Sequence, residues 1–248
     1  MKIGICCGLS DAARAVQAGL EYVELQAALL GAPSGPLPVE DYADVPMEAT
    51  NVFFAPEIRL FGENATDWHD YAKRTVDRAA SLEVKIMVLG SGRARHAPTA
   101  GAEYEERFAD VAAWIDEYAL RAGVRVAPES LNRTETNVGN DLASLARRLA
   151  QRGVGYTADS FHVLREWDAD GREGGLPAPS PEFWQRQLPH TPLHVHLGDI
   201  NRKAPRLGDP QMAGFFQRLD ELGYNARMSF ECSMPDDWSH ALTEVLAR

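Results

Sequence analysis

Short apolar segments alternate with longer amphipathic ones from one end of the chain to the other, which is the pattern of repeated strand–helix units around a parallel sheet. Eight segments read as strands, at 2 to 7, 22 to 27, 50 to 55, 84 to 90, 124 to 129, 154 to 159, 192 to 198 and 226 to 232. Helical periodicity separates most of them. It is clearest in 103 to 121, where Phe108, Val111, Ala112 and Ile115 recur at i, i+3, i+4 and i+7 and form one apolar stripe that should face the sheet. Acidic residues that open helices (Asp11, Asp141, Asp237) and glycines that close them (Gly19, Gly123, Gly153, Gly223) punctuate the same units. Two stretches break the rhythm. Residues 30 to 48, with Pro33, Pro36, Pro38 and Pro46, and residues 165 to 181, with three glycines and three prolines, read as long loops of the kind that serve as lids or binding elements.

No charge block, low-complexity tract or linker divides the chain, so one domain over 1–248 is expected. The fold class is α/β, with the eight units closing a single (β/α)8 TIM barrel, which typically needs about 250 residues. An open doubly wound sheet is the competing architecture, but its nucleotide fingerprint is missing. In Gly90-Ser91-Gly92-Arg93-Ala94-Arg95 an arginine stands where the third glycine belongs.

Composition removes several function classes. A net charge of -11 opposes attraction to a phosphate backbone, so no nucleic-acid partner is expected. No apolar run approaches the roughly 20 residues of a membrane span, and the first apolar segment is too short for a secretory signal. A cytoplasmic protein without a membrane partner is the expectation, with homo-oligomerisation left open. Cys6, Cys7 and Cys232 make neither a disulfide framework nor a metal knuckle and read as buried thiols.

Four consecutive late strands each end in a residue able to bind a metal: Glu129, Asp159, His196 and Glu231. Side chains alternate along a strand, so each of these shares a face with Ala127, Thr157, His194 or Ser229, while Val126, Ala158, Val195 and Phe230 point the other way. The apolar face suits packing against outer helices, which leaves the polar one inside the barrel. Three carboxylates pushed together there would repel one another unless a cation joined them. Three oxygens and one imidazole favour a hard divalent ion, with Mn2+ the first expectation and Mg2+ or Co2+ the alternatives. Taken singly, each of the four has a structural explanation, and the constellation is what argues for a metal.

Beyond these four, the chain carries Tyr22-Val23-Glu24-Leu25, Val88-Leu89-Gly90-Ser91-Gly92-Arg93, Glu129-Ser130-Leu131-Asn132-Arg133-Thr134-Glu135-Thr136-Asn137, Asp159-Ser160-Phe161-His162, His194-Val195-His196 with Asn201-Arg202, and Phe230-Glu231-Cys232. In order and spacing these segments resemble the xylose-isomerase-like TIM-barrel superfamily, in particular its sugar isomerase/epimerase branch with the ketose 3-epimerases. The resemblance implies that Glu129, Asp159, His196 and Glu231 coordinate one metal ion and that Glu129 and Glu231 also transfer protons. It also places Glu135, His162 and Arg202 around a small sugar or polyol-like substrate. The implied activity is metal-dependent isomerisation or epimerisation, in which a proton next to a carbonyl is moved through an enediolate. A dehydratase or lyase acting on a keto-polyol is the alternative enzyme, and a non-catalytic sugar-binding subunit is a third reading. Related DNA-repair endonucleases need additional histidines after the early strands, and this chain lacks them.

Three neighbouring features are less decided. Glu24 is inward but low in the barrel, where a polar residue can be purely structural. His194 lies two residues deeper than His196, which suits a supporting or packing role. Arg93 and Arg95 stand beside glycines as a phosphate site would require, or else as solvated charge on a loop rim.

Overall fold

A computed structural model describes residues 1–32, 42, 44–168, 177–206 and 208–247. The strands are β1 (Lys2–Cys6), β2 (Tyr22–Gln26), β3 (Met47–Asn51), β4 (Ile86–Leu89), β5 (Arg125–Pro128), β6 (Thr157–Asp159), β7 (His194–Leu197) and β8 (Arg227–Phe230). All pair in parallel in the order β5-β4-β3-β2-β1-β8-β7-β6. The ring is completed between β5 and β6 by one parallel bridge, Glu129 to Thr157, and by the Thr157 hydroxyl donating to the Ala127 carbonyl at 2.9 Å. The architecture is the expected single (β/α)8 barrel.

The helices are α1 (Ala12–Gln17), α2 (His69–Ser81), α3 (Gly92–Arg95), α4 (Ala102–Arg121), α5 (Leu142–Ala150), α6 (Ser160–Trp167), α7 (Pro181–Gln187), α8 (Pro210–Glu221) and α9 (Trp238–Leu246). The stripe anticipated on α4 buries Phe108, Ala112 and Ile115, while Val111 lies at its edge and is half-buried. Asp141 and Asp237 cap α5 and α9 by accepting from the Ser144 and His240 amides. The four glycines read as helix stops all adopt the left-handed backbone.

Two separate apolar layers result. Val126, Ala158, Val195 and Phe230 join the large core between sheet and helices. Inside the barrel, Tyr22, Ala49, Ile86, Val88 and Ala127 form a smaller plug below the strand ends. Gly4 makes room for that plug, since a Cβ there would come within 2.5 Å of the Tyr22 ring. The alternation read in the late strands is thus the one the barrel uses, and it leaves the polar ends of the inward rows above the plug.

The third strand departs from expectation. It runs over Met47–Asn51 rather than 50 to 55, because Val52 turns into the left-handed region at φ 44° and ends it. The apolar run that suggested a strand, Phe53-Phe54-Ala55, is buried through ring contacts instead, with Phe53 and Phe54 edge to face at 4.9 Å and Phe54 stacked on Tyr71 at 6.1 Å. The two expected long loops, 30 to 48 and 165 to 181, lie in good part outside the described residues. At their ends, β3 begins at Met47, α6 continues to Trp167, and Pro181 is the first residue of α7.

Candidate active site

The C-terminal ends of the inward rows converge. Ligand-capable atoms of Glu129, Asp159, His196 and Glu231 all lie within 4.8 Å of one another. His196 sits at the centre of the set. Its Nδ1 is 2.8 Å from Glu129 Oε1, 3.5 Å from Glu231 Oε2 and 3.8 Å from Asp159 Oδ2. Asp159 closes β6 and begins α6 with no loop between them. One oxygen, Oδ1, caps the helix by accepting from the His162 amide at 3.0 Å, and the other, Oδ2, is buried without a hydrogen-bond partner among the described residues. Gly90, at the end of β4, keeps the space beside Glu129 open, since a Cβ there would stand 2.7 Å from Glu129 Oε2.

The charges explain why such a set asks for a cation. Burial holds the Asp159 carboxyl far above its ordinary range, and the nearby charges of Glu129 and Glu231 push it further. Burial and Glu231 raise Glu129 as well. Glu231 goes the other way: burial pushes it up, but His196 and Arg202 outweigh burial and bring it down to about 2. Arg202 donates from Nη2 to Glu231 Oε2 at 2.9 Å, and Asn51 donates to the other oxygen at 3.1 Å. Three carboxylates, one orphaned oxygen among them, and an imidazole nitrogen facing all three form a donor set that fits a hard divalent ion.

His162 is buried and burial lowers it to about 3, so its ring is neutral. Its Nδ1 accepts from the Asn132 amide at 3.2 Å and from the Asn132 side chain at 2.9 Å. The ring proton is therefore on Nε2, which stands 3.9 Å from Asp159 Oδ2. Glu135 is half-exposed, with Oε1 3.2 Å from Asn132 Nδ2 and 4.0 Å from Arg202 Nη1. Arg202 also lies with its guanidinium carbon 4.6 Å over the Phe161 ring.

These groups border a cavity of about 390 Å3. Glu129, Glu231, Glu135, His162 and Arg202 supply its polar side, and Val52, Phe54, Ala55, Pro56 and Leu131 its apolar side. Glu129, Asp159, His196 and Glu231, together with Glu135, His162 and Arg202, the site residues expected from the sequence, thus lie together at one end of the barrel.

Two residues at the site, Asn51 and Asn132, had no role in the sequence reading. Asn51 is the inward residue at the end of β3 and follows the same alternation as Glu129, Asp159, His196 and Glu231, so a correct register for that strand would have exposed it. Asn132, which sets the His162 tautomer, stands inside the Glu129–Asn137 segment but carried no signal of its own. Glu24 and His194 are fully buried and bonded to each other below His196. Arg95 is neither a phosphate ligand nor a solvated charge: it is fully buried, donates to the Glu129 carbonyl at 2.7 Å and lies 4.6 Å over the Phe108 ring. Arg93 lines the cavity lip and is exposed. The three thiols are free but half-buried rather than buried.

Among the described residues no helix is long and apolar enough to cross a membrane. No curated protein matches the chain by sequence. Solved structures share its fold at low identity. A 3-keto-D-glucoside 4-epimerase from E. coli has a TM-score of 0.74 at 17% identity, covering 100% of both chains. A D-psicose 3-epimerase from Clostridium cellulolyticum H10 has a TM-score of 0.69 at 17% identity, covering 98% of this chain and 90% of that one. The IolI protein with a bound zinc atom has a TM-score of 0.64 at 15% identity, covering 100% and 96%. The model of the xylose isomerase-like TIM barrel family matches residues 12–247, and the chain belongs to that family.

Proposed function

We propose that this protein is a divalent-metal-dependent sugar epimerase or isomerase that moves a proton on a carbon next to a carbonyl. The observation that carries the reading is that Glu129 and Glu231 border one small cavity while their carboxylates converge, with Asp159, on His196 Nδ1. Glu129, Asp159, His196 and Glu231 would hold the ion, with Mn2+ expected first and Mg2+ or Co2+ as alternatives. When bound, such an ion draws electron density from a carbonyl and a neighbouring hydroxyl and so makes the adjacent C–H more acidic.

The chain's own groups do the rest. One of the two glutamates takes the proton and the other returns it on the opposite face, which inverts the carbon; return to the adjacent carbon interconverts aldose and ketose. His162 Nε2–H and the Arg202 fork are donors for the oxygen that gains charge. Glu135 accepts from a hydroxyl farther out. The cavity, about 390 Å3, is near the small end of the ~300–1,000 Å3 range of ligand sites and suits a single sugar or polyol. The epimerase names of the structural neighbours and the zinc atom named with one of them support the same reading.

The test is to incubate the Mn2+-loaded protein with ketoses, aldoses and inososes in D2O and follow product mass and deuterium position by NMR. Turnover that preserves the carbon skeleton and oxygen count, with deuterium only beside the carbonyl, is the expected result. A product lighter by one water would replace the reading with a dehydratase. Tight sugar binding without any turnover would replace it with a binding subunit.

A further inference from the structure

Below the carboxylates that face the cavity lies a buried network that the proton transfer does not use. Glu24, fully buried in the middle of β2, accepts from His196 Nε2 at 2.9 Å with Oε1. Its other oxygen accepts from His194 Nε2 at 2.9 Å and from the Ser229 hydroxyl at 2.7 Å. Tyr22, whose hydroxyl is 2.8 Å from Ser229 Oγ, completes the chain of bonds by donating to it. Among the described residues no Arg or Lys reaches Glu24. An ionised carboxylate buried on hydrogen bonds alone is a costly way to fill a barrel, and the apolar plug directly beneath it shows the cheaper one.

The two nitrogens of His196 are used for different things. Nε2 faces Glu24, and Nδ1 faces Glu129, Glu231 and Asp159. Glu24, an acceptor with no proton of its own, requires the Nε2 position to carry hydrogen; Glu129, 2.8 Å from Nδ1, belongs to the set that would hold the cation, which would leave the Nδ1 lone pair as the ligand. We infer that Glu24 is a positioning residue: it fixes the tautomer and the ring plane of His196 so that Nδ1 is presented to the cation. The inference rests on the metal reading of this site given above.

A glutamine cannot serve both histidines. If its amide nitrogen faces His196, the imidazole proton moves to Nδ1 and occupies the ligand position. If it faces His194, that ring must carry its proton on Nδ1, which is buried and has no partner among the described residues. Ser229 provides the contrast. Ser229→Ala removes a hydrogen bond of the same network but leaves the acceptor at His196 Nε2 in place.

The experiment is calorimetric titration of Mn2+ into metal-free wild type, Glu24→Gln and Ser229→Ala, with near-UV circular dichroism to establish that each is folded. Glu24→Gln is expected to bind Mn2+ about 10- to 100-fold more weakly and Ser229→Ala within about threefold of wild type. Equal affinity of Glu24→Gln and wild type overturns the inference, as does an equal loss in both variants, which would mark the network as merely structural. Should Glu24→Gln fail to fold, histidine 15N spectra of the Zn2+-loaded wild type decide. A proton on His196 Nε2 with Nδ1 on the metal supports the inference, and the reverse assignment overturns it. If wild type takes up neither ion, the metal reading itself falls, and the inference with it.

Discussion

Arg202 reaches Glu231 end-on, with Nη2 2.9 Å from Oε2, while its guanidinium lies over Phe161 at 4.6 Å. The ring fixes the plane of the fork, and the fork fixes one oxygen of a carboxylate whose other oxygen is held by Asn51. Arg202→Ala should therefore lower kcat/KM for the responsive sugar by about 100-fold, the usual cost of a slightly misplaced reacting group. Arg202→Lys should restore little of it, because an ammonium has neither the fork nor the flat face. Steady-state kinetics check this. An Arg202→Ala enzyme with more than half of wild-type kcat/KM would show that the contact is incidental.

Gly90 bears on the other glutamate. Its backbone is not in the left-handed region, so alanine is tolerated conformationally and the whole effect falls on the 2.7 Å approach to Glu129 Oε2. Gly90→Ala should cost roughly 100-fold in kcat/KM by displacing that carboxylate, while the unfolding midpoint moves by less than about 4 °C. A variant that loses its fold, or one as active as wild type, would contradict the assignment of this glycine as a space-holder for Glu129.

The legible part of this site was the part written in consecutive strands of the same shape. Glu129, Asp159, His196 and Glu231 each end an inward row whose outward neighbours are apolar, and alternation alone aligns them. Asn51 obeys the same rule but was hidden, because Phe53-Phe54-Ala55 looks like a strand and pulled the expected register three residues late. Only the left-handed turn at Val52 ends β3 before them, and no residue preference predicts a β-branched residue there. Arg95 was misread for a related reason. Beside two glycines an arginine suggests an open loop, whereas its partners, the Glu129 carbonyl and Phe108, come from elements distant in sequence. Glu24 could be seen to point inward, but its meaning depends on histidines 170 and 172 residues away.

Val52, Ser91 and Arg202 are three of the four non-glycine residues with positive φ among those described, and all three line the cavity. Strained backbone concentrated at one mouth is what a site held in a set shape would show. Val52 is the most costly of them, being β-branched at φ 44°. Val52→Asn, which suits the left-handed region, should raise stability by roughly 0.5–1 kcal/mol, given the ~1–2 kcal/mol such a conformation costs an ordinary residue. Urea denaturation of the two proteins under identical conditions measures the difference. A destabilised Val52→Asn variant would show that the valine side chain contributes more by packing than its backbone loses.

Cys7 stands just beyond β1, and burial, followed by the charge of Asp11, pushes its thiol from 9.0 up to about 11. A group that binds its proton more tightly when folded stabilises the fold fully below the unfolded value and loses that contribution as the pH rises through the folded one. The window here lies between about pH 9 and 11. Alkylation of native Cys7 by iodoacetamide, followed by peptide mass mapping across pH 7 to 11, should be slow at pH 8 because the thiolate is the reactive form. Its rate should climb with a midpoint near 11 rather than 9. In denaturant the same midpoint should fall back to about 9. A native midpoint at 9 or below would place Cys7 in a more open setting than the one described.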